Sequence, residues 1–260
     1  MNNFVNGIEI EDRGFKNLND LFRCIKENHY GVIEKSSQDN SIENSSHYSD
    51  NNIITTKNII DFKKASWVYE AIPKSEEIIN NFLKNFMEFP YLHRVEHSIH
   101  CDLYNLFSKD EFFNKSVKLS DGTETQILHK EWPEYRPRED KNNRRGNFDF
   151  VILSPESVKS KNVNDFVIGK IEAPIVVEIG LNYGTGHLLE DFKKINNSKV
   201  YRGYLLHLVR KEKVEDNSIE EILLEIENKF KNIKIGYVKH TIGGVRYKLI
   251  NNDKINLQNL

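Results

Sequence analysis

Cysteine is scarce in this chain: only Cys24 and Cys101 occur, far apart. Two widely separated thiols cannot build a disulfide framework, so the expectation is a reduced, cytoplasmic setting. Long apolar runs are missing too, and no segment is long enough to span a bilayer. The opening Met1-Asn2-Asn3-Phe4-Val5-Asn6-Gly7 has neither a basic start nor an apolar stretch, so it does not read as a secretion signal. An excess of one charge is absent as well. The 37 Lys and Arg against 39 Asp and Glu leave a formal net charge of -2, so any nucleic-acid binding would need a local basic surface. What is present, 29% charged and 38% hydrophobic residues over 260 positions, allows a sizeable core.

Two regions differ in texture. Residues 1–58 read as a small strand-plus-helix piece, with Leu18, Leu21, Phe22 and Ile25 at helical spacing, followed by a polar connection around Ser36 to Asn52. Residues 59–260 read as an α/β domain with a mixed central sheet flanked by helices. There, Ile78, Ile79, Phe82, Leu83 and Phe86 predict a helix from Ser75, punctuated by Pro90. A second helix is expected over Tyr91 to Phe107, burying Leu92, Val95, Ile99, Leu103 and Leu106. A strand at Thr125 to His129 and a partly basic loop through Arg145 follow. Further on come two apolar strands, a helix from near Thr185, a strand from Val200 to Val209 and a helix from Ser218 to Phe230. Ile233–Val238 and Val245–Ile250, separated by Gly243-Gly244, predict a closing hairpin.

The chemistry lies in the two apolar strands. Asp149 sits in Asn147-Phe148-Asp149-Phe150-Val151-Ile152-Leu153, and Glu178 in Ile175-Val176-Val177-Glu178-Ile179-Gly180-Leu181. A carboxylate in a buried strand loses its hydration, which is costly unless a cation or hydrogen-bond donors replace the water. Two such acids on successive strands, with no basic residue inside either run, point to a shared metal ion. Hard divalent cations such as magnesium favour oxygen ligands of this kind. Glu96 adds a third acid at the margin of the second helix's apolar stripe, with His100 one turn on.

Helical Glu96, Asp149 in Gly146-Asn147-Phe148-Asp149, and Glu178 in Val176-Val177-Glu178, in that order, resemble the PD-(D/E)XK nuclease superfamily, the restriction-endonuclease-like fold. The resemblance covers roughly Tyr91 to Val238 in element order. It implies a helical Glu, three strands carrying an Asp and a Glu-X-Lys, then a helix and a strand. It also implies metal-assisted phosphodiester hydrolysis of nucleic acid, DNA above RNA, with Mg2+ or Mn2+ held by Asp149, Glu178 and Glu96. Two-strand cutting would suit a homodimer, though no feature of the chain specifies one.

The family's lysine position is Gly180 here. Some members take that lysine from the next helix, which makes Lys194 the favoured replacement, with Lys193 on the opposite flank of the stripe. The alternative is a catalytically degenerate module that binds nucleic acid or a protein partner. Arg136, Arg138, Lys141, Arg144 and Arg145 could track a nucleic-acid backbone, although Glu131, Glu134, Glu139 and Asp140 dilute that charge. Trp132, Tyr135, Tyr201 and Tyr204 could stack on bases or simply fill the core. A rival pattern, His93-Arg94-Val95-Glu96-His97, resembles the inverted zinc-peptidase signature, with Glu172 or Glu178 as a further ligand. That reading requires His93 and His97 to lie on one helix.

Overall fold

The computed structural model describes residues 3–5, 8–10 and 56–259, apart from 139–141, 143, 199 and 211–217; for residues up to 65 it describes the backbone alone. At the amino terminus, β1 (Asn3–Val5) and β2 (Ile8–Ile10) pair as an antiparallel hairpin. The expected helix around Leu18 and the polar connection lie outside the described residues.

The helix expected from Ser75 is longer. It runs as α1 over Thr56–Glu88, with Pro73 inside it. Val68, Ala71, Ser75, Ile79, Phe82, Leu83 and Phe86 form its buried side, so the 3.6-residue stripe continues through the proline. A proline two residues ahead makes Ser75 resemble a helix start, which is why the sequence pattern places the beginning too late. The second helix, α2, covers Glu96–Ser108 rather than starting at Tyr91. Val95 is extended at its N-cap, and Leu92 and Val95, expected in the core, are exposed. Ile99, His100, Leu103 and Phe107 form its buried face instead.

The expected strand at Thr125 to His129 is two strands. β4 (Glu124–Gln126) pairs with β3 (Ser116–Lys118) in a separate hairpin, and β5 (Leu128–Pro133) enters the main sheet. β6 (Asn147–Ile152) follows, then short helices α3 (Pro155–Lys159) and α4 (Val163–Val167). β7 (Ile175–Leu181), α5 (Thr185–Asn197), β8 (Arg202–Val209), α6 (Ser218–Lys229), β9 (Ile233–His240), β10 (Gly244–Lys248) and β11 (Asn256–Asn259) complete the chain.

The main sheet has seven strands in the order β11-β10-β9-β8-β7-β6-β5. β5, β6 and β7 form an antiparallel meander, β7, β8 and β9 run parallel, and β9, β10 and β11 are antiparallel again. This is an α/β fold with a mixed sheet flanked by helices. β7 is buried along its whole length, as its near-continuous apolar sequence requires for a central strand covered on both faces.

Alternation along the strands decides what each face meets. The Tyr204 hydroxyl donates to Glu76 of α1, while a side chain added at neighbouring Gly203 would strike Ile195 of α5. Even residues of β8 therefore face α1, and odd ones face α5. Through the register Glu178↔Leu205 and Gly180↔His207, the acid of β7 lies on the α5 face.

Candidate metal centre at the parting of β6 and β7

The β6–β7 ladder ends at Phe150↔Val177, one step before Asp149 and Glu178 would stand opposite each other. There the strands part, and the Asp149 side chain takes the place of a neighbouring backbone carbonyl. Its Oδ2 accepts from the Ile179 amide at 2.7 Å. Glu96, in the first turn of α2, does the same one step further along, with Oε2 accepting from the Leu181 amide at 3.0 Å. Three sequence-predicted acids thus gather around one strand opening, and a carboxylate at the start of α2 is favoured by that helix's dipole.

Glu178 is fully buried. Its Oε2 accepts from Lys194 Nζ at 2.6 Å, and its Oε1 has no protein partner. Lys194 Nζ also lies 3.0 Å from Asp191 Oδ1 and donates to the Asn147 carbonyl at 3.2 Å. Helical spacing does this: Asp191 and Lys194 are one turn apart on the α5 face turned to the sheet. Asp191 Oδ2 in turn meets His187 Nδ1 at 3.1 Å, and the Tyr183 ring stacks on His187 at 3.8 Å. Lys193 points elsewhere and donates to Glu190.

Burial pushes the Glu178 carboxyl well above its usual range; the Asp149 charge adds to that, and Lys194 opposes it. Burial alone would lower the Lys194 ammonium, but Glu178 and Asp191 together hold it above its ordinary value. Glu96 is also raised, chiefly by burial, with the Leu181 amide and His100 working against the shift. Acids crowded in this way are destabilised as anions, and a cation removes that cost.

The group that gathers most closely is not the expected trio. His100, Glu131 and Asp149 place one ligand atom each within 4.8 Å of the others, a group able to hold a metal ion. It is the one such group among the described residues. His100 Nε2 stands 3.8 Å from Glu96 Oε1 and 3.9 Å from Asp149 Oδ2. Sequence reasoning gave His100 no role, although a polar residue inside the stripe Ile99, Leu103 and Phe107 is itself a signal. Glu131 had no signal at all. It faces Asp149 where the β5–β6 ladder skips a pair, and its φ of 53° is left-handed.

The basic loop divides. Arg136 and Arg144 are exposed, and Lys141 lies outside the described residues. Arg138, expected on the surface, is 4% exposed and engages Glu134 and Glu190, tying the β5–β6 arm to α5. Arg145 donates to the carbonyls of Glu134, Ile168 and Gly169. Those two guanidiniums are consumed within the fold. Trp132 and Tyr204 are core residues, while Tyr135 and Tyr201 are exposed.

The zinc-peptidase pattern does not assemble. His93 precedes α2, so it shares no helix with His97, and its Nε2 lies 3.5 Å from Asp102. Arg210, just past β8, fixes this approach by donating to the carbonyls of Pro90, His93 and Arg94.

Gly180 lies on the same face as Glu178. A Cβ there would meet only the Tyr183 ring at 3.4 Å and His207 Nδ1 at 3.5 Å, ordinary contact distances. His207 is 1% exposed, and burial first, then the His187 and Lys239 charges, push its imidazole down to about 4 from the usual 6.5. A depressed histidine stabilises the fold fully above pH 6.5 and loses that contribution as pH falls toward the folded value. Denaturant unfolding at pH 5 is therefore expected to show a loss of about 2 kcal/mol from this residue relative to pH 7. His207→Leu should flatten that part of the profile. An unchanged slope would show that His207 takes up protons without cost.

Comparison with protein-family models, curated proteins and solved structures returned no match to this chain. No helix among the described residues is long and apolar enough to cross a membrane.

Proposed function

We propose that this protein is a metal-dependent nuclease of the restriction-endonuclease-like, PD-(D/E)XK type, hydrolysing phosphodiester bonds with DNA as the favoured substrate. The observation that carries the reading is the meeting of Asp149 and Glu178 where β6 and β7 part, with Lys194 of the following helix on Glu178. The order α2, three antiparallel strands, α5 and a parallel strand supports it. So does Lys194 itself, a lysine from the following helix held on Glu178 at 2.6 Å.

The donor set fits a divalent cation. Glu178 Oε1 is buried without a partner, both His100 ring nitrogens lack one, and carboxylates crowd the site. Asp149 would hold the ion, Mg2+ or Mn2+, with Glu178 and Glu96 flanking it outside the tight group that His100, Glu131 and Asp149 form. When bound, it supplies a Lewis acid that activates water and offsets charge on the phosphate. Asp149 is positioned by the Ile179 amide and Glu96 by the Leu181 amide, so neither must reorganise to act. Lys194, fully charged, complements the phosphate and orients the attacking water.

A binding module without cleavage is the second reading, because Lys194 is already engaged by both Glu178 and Asp191. One experiment separates the two. Plasmid DNA and RNA are incubated with the protein, with and without Mg2+ or Mn2+. The nuclease reading expects ion-dependent cutting that is lost in Lys194→Met and partly recovered when Gly180→Lys is added. An added Cβ at Gly180 would meet only ordinary contacts. Binding without cutting under every condition would favour the module.

A further inference from the structure

We propose that this centre is built for a first-row transition ion in preference to Mg2+, with His100 as a nitrogen ligand and Glu131 as an oxygen ligand beside Asp149. The inference rests on the metal dependence of the reading above, not on its substrate.

His100 is 6% exposed, and neither ring nitrogen has a hydrogen-bond partner. An imidazole buried without partners is destabilising, a penalty an apolar residue would avoid. Its Nε2 is too far from Glu96 and Asp149 for hydrogen bonding, at 3.8 and 3.9 Å. Those separations instead suit ligands sharing a centre, because donors about 2.1 Å from one ion stand roughly 3 Å apart when adjacent and 4.2 Å when opposite.

Glu131 supplies a second, independent observation. It is exposed, yet its backbone is left-handed at φ 53°, a conformation unfavourable for a residue with a Cβ. The break comes where β5 skips its pair with Asp149, between Lys130↔Phe150 and Trp132↔Phe148. Its ligand atom ends within 4.8 Å of those of His100 and Asp149. The left-handed residue thus coincides with a carboxylate gathered beside a buried, unpartnered imidazole.

The mixed donor set determines which ion is preferred. Mg2+ favours an all-oxygen octahedron and gives up its waters reluctantly. Imidazole suits later first-row ions, and carboxylates also suit Mn2+. One nitrogen and two carboxylates therefore discriminate against Mg2+ without the thiolates that would favour a soft ion.

The test is direct ion binding to the full chain, by calorimetry with MnCl2 and MgCl2 and by the electron paramagnetic resonance of free Mn2+. Wild-type protein is expected to bind Mn2+ about tenfold or more tightly than Mg2+. His100→Asn should remove most of that difference by weakening Mn2+ alone. Glu131→Gln, at an exposed position, should weaken both ions. Equal affinity for the two ions in the wild type, or Mn2+ binding indifferent to both variants, overturns the proposal. Should His100→Asn fail to fold, the wild-type ratio and Glu131→Gln still decide. Selective Mn2+ binding without any cutting would defeat the nuclease reading and leave the ion preference standing. Mn2+-supported cutting unaffected by His100→Asn, with the two ions bound equally, would do the reverse.

Discussion

Lys194→Met is expected to destabilise the protein by about 3–5 kcal/mol, the cost of leaving a buried carboxylate without its cation. Glu178 is fully buried and Lys194 13% exposed, so water cannot take over the lost interaction. Asp191 loses the same partner. In a domain of this size the midpoint of thermal unfolding should fall on the order of 10 °C. The double variant Lys194→Met, Glu178→Gln should recover most of that loss, because a neutral amide no longer needs an ammonium. Melting curves of the two single variants and the double variant close the cycle. Additive losses would mean that the 2.6 Å contact carries little coupling.

Glu178→Gln alone should separate activity from stability. The amide has the same shape and removes the like-charge pressure from Asp149, so the melting temperature should stay close to that of the wild type. Lys194 keeps Asp191 as its partner. If the proposed nuclease reading holds, ion-dependent cutting should fall by about a hundredfold or more, the usual cost of removing one preorganised electrostatic group. Asp149→Asn should behave alike, because the single amide oxygen can still accept from the Ile179 amide while the charge is gone. Undiminished cutting by both variants would point to a different site or to a contaminating nuclease.

These variants act at a place the sequence marks but does not complete. Asp149 and Glu178 were legible because each interrupts a short apolar strand, and burial of an acid needs an explanation. Lys194 could be reached through the family resemblance, which asks for a lysine that Gly180 lacks and the next helix can supply; helical spacing only sets it on the opposite flank from Lys193. Glu131 could not be reached, since nothing in Lys130-Glu131-Trp132 announces a left-handed residue. Arg138 misled in the opposite direction. A guanidinium in a polar loop reads as surface, yet two glutamates far apart in sequence enclose it.

By itself the sequence determined the succession β6, β7, α5, β8, α6, β9 and β10, without the short α3 and α4 or the last strand β11, together with the burial of β7 and which acids would be costly without a cation. Those properties follow from periodicity and desolvation, both local. Tertiary structure alone decided where β6 and β7 part, that α2 begins at Glu96 and so leaves His93 off the helix, and which carboxylates meet His100. Each depends on strands and helices meeting across dozens of residues, and a distance in space between distant segments is not encoded in the spacing of either one.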